Sequence, residues 1–332
     1  MLMLFLLQDL VPLVLIGWLT FAPPSSAAGF WTQVLSTAVV LVELSFTGIW
    51  MFPPWWAPYV FGTLLFAGVV RGVASRRARS VWPQQSNGWL PLVGFAALGL
   101  YAAHEARLAV AAQQIPVGRV VDLASPLGVG TYLVANGGSG PSINAHAALL
   151  DQAIVRHGPY RGTAHGVDLV AIDGWGLRAD GLLPIKPSRY LIFGRAVVAP
   201  CGGDVVAAVD GLPDMQVPQV DRGHLAGNHV VMSCSGIHIL LGHFKRGTIV
   251  VRVGEKLSLG DAIARVGNSG NTSEPHLHVH SQEPGTEDAP FSGTPIPIRI
   301  NGQYLVRNDR LVVLGQTAGA GTTVPINTER KP

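Results

Sequence analysis

Charge, cysteine and long amphipathic repeats are all scarce in this sequence. Only 13% of its 332 residues are charged, whereas about 25% is usual in a soluble globular protein, and 48% are hydrophobic. This composition excludes a chain made of two ordinary soluble domains. The 40 glycines and 24 prolines exclude a coiled coil. A formal net charge of only +3 is a small basic surplus, so we expect no nucleic acid partner.

The shortage of charge is concentrated in the first 112 residues. They carry only eight charged side chains, whereas the whole chain has 23 basic and 20 acidic ones. A helix needs about 20 consecutive apolar residues to cross a bilayer. Residues 1–114 are therefore predicted to form an α-helical transmembrane region. The predicted helices, about four in number, span residues 2–22, 30–52, 55–74 and 89–112. The fourth is the weakest because its apolar run stops before His104.

Four arginines determine the predicted orientation of these helices: Arg71, Arg76, Arg77 and Arg79. They lie between the third and fourth spans, and loops rich in arginine and lysine stay in the cytoplasm. The chain after the fourth helix is therefore predicted to be extracytoplasmic. A cleaved signal peptide at residues 1–25 is the alternative for the first span, but the basic segment that such a peptide needs is missing.

After residue 114 the sequence changes to short apolar alternations separated by turn residues. A period of two is typical of strands with one buried face. Residues 115–315 are therefore predicted to form a mostly antiparallel β domain, and the small, polar tail at 316–332 is predicted to be disordered. The predicted strands lie at 120–121, 190–193, 197–198, 205–209, 229–232, 237–241, 248–253 and 276–280.

Four histidines occur in two short segments of this β-rich half: His243, and His276, His278 and His280 in Glu-Pro-His-Leu-His-Val-His. Side chains alternate faces along a strand, so the last three are predicted to share one face. Imidazoles that converge on one face are what a zinc site needs. A lone histidine is more often a satisfied core or surface residue, so the signal depends on the surrounding motifs.

The surrounding motifs carry a resemblance to a known family. The run Gly-Asn-Ser-Gly-Asn-Thr-Ser-Glu-Pro at 267–275 leads into His276-Leu-His278, and Ala-Pro-Cys-Gly-Gly-Asp-Val-Val stands upstream at 199–206. In this order the motifs resemble the lysostaphin-type (LytM-like) zinc endopeptidases, a family of peptidoglycan DD-endopeptidases, over about residues 160–285. The resemblance implies a β-sheet groove that holds one Zn²⁺ ion and cleaves peptides of bacterial cell-wall peptidoglycan.

The resemblance also implies roles for individual residues. His278 would be a zinc ligand, while His243 and His276 would be catalytic, orienting the attacking water and stabilising the transition state. The family usually takes its other two ligands from one His-x-x-x-Asp segment. Asp168 matches the aspartate of that segment, but Ala164 stands where the histidine is expected.

Two histidines are candidates for the missing ligand, and a third interpretation leaves it missing. His165 lies three residues before Asp168, an offset that puts the two side chains on opposite faces of an extended segment unless a bulge intervenes. His146 is preferred, because some membrane-linked relatives look similar in carrying an upstream Asn-His-His segment whose second histidine it matches. With no third protein ligand, the site would be too weak to keep zinc.

The two cysteines, Cys201 and Cys234, both lie in the half that is predicted to be outside the cytoplasm, where disulfides form. Each follows a short apolar run that is predicted to be a strand. A disulfide between them is therefore predicted, and unpaired core thiols are the alternative.

These features together predict a zinc metalloendopeptidase anchored by several helices in a bacterial inner membrane, with its β domain on the extracytoplasmic side. Its expected partners are peptidoglycan peptides and membrane lipid. The alternative is a catalytically degenerate module that binds wall peptides or a partner enzyme, which the alanine at position 164 favours. A transporter or sensor is disfavoured because charge within the predicted spans is sparse.

Overall fold

The computed structural model describes residues 2–75 and 80–314. The chain divides into two compact units, Met1–Ala111 and Ala112–Pro332. Two sequence predictions lie outside the described residues: the disordered tail at 316–332, and the part of the orientation signal that rests on Arg76, Arg77 and Arg79.

The first unit consists of four α-helices, which confirms the prediction of a helical N-terminal region. They are α1 (Leu2–Phe21), α2 (Ala27–Thr47), α3 (Ala57–Ala74) and α4 (Ser86–Ala112). Ser26 caps α2 by accepting a hydrogen bond from the backbone N–H of Gly29. Pro58 stands in the first turn of α3, where a backbone N–H has no partner within the helix in any case.

By length and composition, two of these helices are able to cross a membrane, namely α2 and α3. Among the described residues, the apolar part of α1 is a shorter helix, Leu7–Phe21. Only 33% of the most apolar window of α2 and 28% of that of α3 are buried. The prediction of four membrane-spanning helices is thus supported for two of them.

The second unit is built on a nine-stranded sheet. Eight strands follow the order β13-β2-β3-β10-β7-β6-β5-β8, β11 pairs with β10, and every pairing is antiparallel. Two small sheets accompany it, antiparallel β4–β9 and parallel β1–β12. The prediction of a mostly antiparallel β domain is therefore confirmed. The strands are β1 (Val121–Leu123), β2 (Gly130–Asn136), β3 (Val167–Ile172), β4 (Ala196–Val198), β5 (Gly203–Val209), β6 (Asn228–Cys234), β7 (Ile237–Phe244), β8 (Lys256–Leu257), β9 (Ala262–Arg265), β10 (Leu277–Gln282), β11 (Pro295–Ile296), β12 (Ile298–Ile300) and β13 (Arg310–Val313).

Alternation along β10 separates the hydrophobic core from the polar face of the sheet. Leu277 and Val279 belong to the core and are fully buried. His278 and His280 point to the opposite face, because successive side chains of a strand alternate. The core therefore holds one side of β10 rigidly and fixes the direction in which the histidines project.

Two predicted strands are not strands in the structure, 190–193 and 248–253. The first follows a short 3-10 helix, Pro187–Arg189, and buries Tyr190 and Ile192 as part of a turn. The second is an irregular connection in which Val251 alone is buried. Apolar side chains that alternate with polar ones enter a core from loops as well as from strands. The sequence pattern alone therefore does not distinguish a loop from a strand.

Cys201 and Cys234 form the predicted disulfide, with Cα atoms 6.3 Å apart and a sequence separation of 33. Cys234 ends β6 and is 2% exposed, and Cys201 packs against the same core from the connection between β4 and β5. The bond therefore ties the β4–β5 connection to the main sheet.

Replacing both cysteines by alanine is expected to destabilise the β unit by about 3 to 4 kcal/mol, because the unfolded chain loses a cross-link that closes a loop of this length. Thermal unfolding of the full chain in detergent, followed by the amide band of β structure in the infrared, measures this effect. Reductant should lower the unfolding temperature of the native chain but leave the double variant unchanged. Equal unfolding temperatures for the native chain and the variant would contradict the expectation.

Candidate metal centre

Three side chains from distant parts of the second unit converge on the polar face of the sheet. His146 lies in a short 3-10 helix, Ala145–Leu150, Asp168 lies in β3 and His278 lies in β10. Asp168 and His278 stand opposite each other in the antiparallel pairing. One ligand atom from each of the three side chains lies within 4.8 Å of the other two.

The Asp168 carboxylate lies between the two imidazoles. Its Oδ1 is 2.8 Å from Nδ1 of His278, and its Oδ2 is 3.0 Å from Nε2 of His146. Burial raises the pKa of Asp168, but the neighbouring charges of His146 and His276 and hydrogen bonds from His146 and His278 outweigh burial and hold this pKa well below its ordinary value. The carboxylate is therefore ionised and offers both oxygens as acceptors.

Asn144 determines the position of His146. Its Oδ1 accepts the backbone N–H of His146, and its Nδ2 donates to the carbonyl oxygens of Gly138 and Gly166. Asn144 is completely buried, so its hydrogen bonds to the carbonyl oxygens of Gly138 and Gly166 are protected from water. These bonds fasten the His146 turn to the segment that leads into β3 and Asp168.

The structure brings His146, and not His165, into the cluster. His165 ends a 3-10 helix, Val155–His165, and its buried Nδ1 has no hydrogen-bond partner among the described residues. Burial lowers the pKa of His165, so its imidazole is neutral. Ala164, at the position where a histidine ligand was expected, is fully buried.

A second layer of polar groups supports Asp168 from β2 and from the C-terminal end of the domain. Asn136 donates from Nδ2 to Oδ2 of Asp168 at 2.8 Å, and its Oδ1 accepts from Nη2 of Arg307 at 2.8 Å. Arg307 also donates to the carbonyl oxygens of Ala135 and Ser142. Burial lowers the pKa of Arg307 to about 10, so it stays charged at neutral pH. Sequence analysis missed both residues because neither belongs to a motif.

The two predicted catalytic histidines lie beside this cluster. The rings of His243 and His276 are in contact, with centroids 4.6 Å apart, and the centroid of His243 is 6.0 Å from that of His278. Nε2 of His276 is 3.6 Å from Oδ1 of Asp168. Burial lowers the pKa of His243 well below its ordinary value, and the neighbouring charges of His276 and His278 lower it further, so this imidazole is neutral.

Backbone carbonyls fix the hydrogen positions of both rings. Nδ1 of His243 lies 2.9 Å from the carbonyl oxygen of Ser269, and Nδ1 of His276 lies 2.9 Å from that of Glu274. A carbonyl only accepts, so each Nδ1 carries a hydrogen, and the neutral ring of His243 therefore keeps a lone pair on Nε2. Glu274 is itself anchored by a buried ion pair with Arg178, with N–O distances of 2.7 and 2.9 Å.

The fourth clustered histidine, His280, contacts the metal centre from behind. Its Nδ1 lies 2.9 Å from Nε2 of His278. The shared face predicted for His276, His278 and His280 thus corresponds to a continuous set of imidazoles, although His276 precedes the first residue of β10.

The donor set and its spacing fit zinc. Zinc in proteins favours histidine nitrogen and carboxylate oxygen, and catalytic sites use three protein ligands with one position left open. For metal–ligand bonds of about 2.0–2.2 Å in tetrahedral geometry, neighbouring ligand atoms lie about 3.4 Å apart. The contacts of 2.8 and 3.0 Å about Asp168 need to open by only a few tenths of an ångström.

Gly166 lies against His146 and His278, the two candidate histidine ligands, and a side chain there is expected to displace them. A Cβ at this position would be 2.5 Å from Cε1 of His278 and 3.2 Å from Cδ2 of His146. The Gly166→Ala variant should therefore bind zinc at least about tenfold more weakly, because the imidazoles lose their positions. Gly158→Ala is the matched control, since no atom lies within 4 Å of its added Cβ. Competition with a chelator measures both affinities, and equal values for the two variants would contradict the expectation.

Comparison with known proteins finds a family match within the second unit. Residues 192–290 match the sequence profile described as Peptidase family M23. Over this segment the second unit is similar to peptidase family M23, the family of lysostaphin-type peptidases, and zinc is the metal that M23 peptidases use. The matched region contains His243, His276 and His278, whereas His146 and Asp168 lie before it. No curated protein matches the chain.

Several solved structures are similar to parts of the chain. A zinc-containing peptidase from Vibrio cholerae is 23% identical over 35% of this chain and 26% of its own, with a TM-score of 0.22. The catalytic domain of lysostaphin from Staphylococcus simulans is 19% identical over 38% of this chain and 71% of its own, with a TM-score of 0.25. A peptidase M23 from Pseudomonas aeruginosa, described as putative, is 16% identical over 48% and 44%, with a TM-score of 0.26. The chain thus spans about a quarter of the length of the Vibrio protein.

Proposed function

We propose that this protein is a membrane-anchored zinc metalloendopeptidase that hydrolyses peptide bonds in cell-wall peptidoglycan. The observation that carries the proposal is the convergence of His146, Asp168 and His278 on one point, with two further histidines, His243 and His276, beside it. The family match supports a peptidase, and the donor set supports zinc as its single metal ion.

His146 through Nε2, His278 through Nδ1 and Asp168 through a carboxylate oxygen are the proposed zinc ligands. Zinc held there supplies Lewis acidity, which polarises the scissile carbonyl and lowers the pKa of the attacking water towards about 7. The protein contributes a fixed ligand geometry. Asn144 holds the His146 turn, and Asn136 with Arg307 holds the Asp168 carboxylate.

His243 and His276 are the proposed catalytic residues. Each has its Nδ1 hydrogen engaged by a backbone carbonyl, which leaves Nε2 as the ring nitrogen that exchanges a proton with the substrate or water. One of these nitrogens accepts the proton of the attacking water, and that proton is later passed to the leaving amine. While it holds that proton, the imidazolium stabilises the negative charge that develops on the substrate oxygen, and the ring becomes neutral again when the leaving amine takes the proton.

A cavity of about 280 Å³, one of whose lining residues is hydrogen-bonded to the backbone of His243, offers room for a peptide. Ala226 lines it, and the carbonyl oxygen of Ala226 accepts the backbone N–H of His243. Tyr160, His229 and Phe291 contribute further walls. Aromatic and imidazole walls with exposed backbone groups suit an extended peptide. The choice of peptidoglycan as the source of that peptide rests on the resemblance to the lysostaphin-type family.

The location proposed for the protein is a bacterial inner membrane, with several helices in the bilayer and the β unit on the extracytoplasmic side. The two apolar helices α2 and α3 support membrane insertion. Large side chains exposed to the surroundings on these helices and on α4, such as Leu35, Phe66 and Leu100, suit contact with lipid. The disulfide supports an oxidising compartment for the β unit.

Digestion of purified peptidoglycan by the full chain in detergent tests the proposal. The expected result is release of muropeptides with newly formed amino termini, seen by chromatography and mass spectrometry. A chelator should stop the release, and added zinc should restore it. An enzyme that binds zinc and cuts another peptide but leaves peptidoglycan intact would contradict the proposed substrate. It would still support the proposed metallopeptidase activity.

A degenerate, non-catalytic module is the second candidate, and Ala164 is the observation that favours it. Such a module would bind wall peptides without cutting them. The two candidates differ in turnover: peptidoglycan that stays bound and uncut in the presence of saturating zinc supports the binding module. Cleavage that depends on His276 eliminates it.

A further inference from the structure

His280 lies directly behind the metal ligand His278 on the polar face of β10. His278 stands opposite Asp168 of β3 in the sheet, and His280 stands opposite Leu240 of β7. Nε2 of His278 is 2.9 Å from Nδ1 of His280, and the two rings meet edge to face. The catalytic and ligand roles proposed above leave His280 without a function.

The direction of this hydrogen bond follows from the ligand role of His278. Nδ1 of His278 faces Asp168 at 2.8 Å, so Nδ1 is the nitrogen that offers its lone pair to the metal. Without metal, Nδ1 donates its hydrogen to Asp168. A neutral imidazole that binds metal through Nδ1 no longer has that hydrogen and carries its hydrogen on Nε2 instead. This Nε2–H therefore donates to Nδ1 of His280, which accepts and carries its own hydrogen on Nε2.

Packing alone does not explain a histidine at position 280. The residue is 1% exposed and lines a largely apolar cavity of about 220 Å³ together with Val206, Val231 and Leu240. Its Nε2 makes no hydrogen bond of good geometry to any described residue. A leucine would avoid the cost of that buried polar atom. The hydrogen bond to His278 is what a leucine would lose.

We infer that His280 is a positioning residue of the metal centre, which accepts the Nε2 hydrogen of His278 and holds its Nδ1 towards the ion. The inference rests on the proposed function, because it takes His278 as a ligand. Metal-binding histidines commonly donate their second ring N–H to a carboxylate, a carbonyl or water, and this donation fixes the ring and raises its basicity. Here an imidazole two residues along the same strand takes the position of that acceptor.

Zinc affinity and the visible spectrum of the cobalt-substituted full chain, both measured in detergent, test this role. His280→Leu is expected to raise the zinc Kd by about 10- to 100-fold and to shift the cobalt d–d bands, because the ligand ring becomes free to rotate. His280→Gln keeps a buried acceptor and is expected to recover most of the affinity. His238→Leu is the matched control. His238 lines the same cavity from β7, but in the strand register it stands opposite Gln282 and not opposite a proposed ligand.

The outcomes separate this inference from the proposed function. If the native chain binds no zinc, the proposed function itself fails. If the native chain binds zinc and loses it in His278→Ala, while His280→Leu binds as tightly as the native chain with an unchanged cobalt spectrum, only the role of His280 is overturned.

A measurement on the native chain covers the case in which His280→Leu does not fold. Nitrogen-15 spectra of the zinc-loaded chain, labelled at histidine, report which ring nitrogens carry hydrogen. The expected result is hydrogen on Nε2 of both His278 and His280. Hydrogen on Nδ1 of His280 would overturn the inference, because that nitrogen could then not accept.

Discussion

Replacing His278 by alanine is expected to remove zinc from the protein. The native chain should carry about one equivalent after dialysis, and the variant less than about 0.1, because two protein ligands no longer hold a catalytic zinc. Peptidoglycan hydrolysis should fall below detection in the same preparation. The ligand atom lost is Nδ1, which lies 2.8 Å from the Asp168 carboxylate. Elemental analysis by mass spectrometry measures the zinc content.

The same measurement decides between the two candidate histidine ligands. His146→Ala should lose zinc as His278→Ala does, because Nε2 of His146 belongs to the cluster. His165→Ala should keep about one equivalent, since the structure leaves His165 out of the cluster. Loss of zinc from His165→Ala, with retention in His146→Ala, would contradict this assignment. The third ligand would then be His165, in the segment just before Asp168.

Replacing His276 by alanine is expected to lower kcat by about 10²- to 10⁴-fold while zinc stays at about one equivalent. The reason is that His276 holds a proton acceptor beside the cluster, with Nε2 3.6 Å from Oδ1 of Asp168, but is not one of the three converging ligands. KM should change much less than kcat, because the lost interaction forms mainly in the transition state. Steady-state hydrolysis of a synthetic wall peptide measures both constants.

His238→Ala is the control for this experiment, because His238 lies in β7 away from the ligands and should leave kcat nearly unchanged. A His276→Ala variant with native kcat would remove this residue from the mechanism. A variant that loses both zinc and activity would show that His276 is needed to hold the metal, and the division between ligands and catalytic residues would then be wrong.

Much of the fold follows from local patterns in the sequence. The helices of the first unit begin and end close to the apolar runs, because prolines and small polar residues interrupt those runs. β10 was predictable from alternation, since Leu277 and Val279 enter the core while His278 and His280 do not. The disulfide was predictable because the two cysteines lie in the same predicted compartment beside predicted strands.

The composition of the metal centre was only partly predictable. Asp168 and His278 belong to recognisable segments, and the sheet places them opposite each other. His146 lies 22 residues before Asp168 on a turn whose position depends on Asn144, and no local pattern encodes that contact. Sequence analysis left His146 and His165 as alternatives for this reason.

The supporting residues could not be found from the sequence. Arg307 reaches Asn136 across 171 positions of the chain, and Arg178 reaches Glu274 across 96. Buried ion pairs and amide networks depend on tertiary contacts that have no fixed spacing. The predicted strand at 248–253 was wrong for a related reason: its apolar side chains pack from an irregular connection, so alternation alone misassigned it.

An anomalous diffraction map of zinc-loaded crystals, recorded at the zinc absorption edge, tests the central claim most directly. The account predicts one strong peak within about 2.0–2.2 Å of Nε2 of His146, Nδ1 of His278 and a carboxylate oxygen of Asp168. A map without a peak between these three side chains, or a peak coordinated by His165 in place of His146, would contradict it.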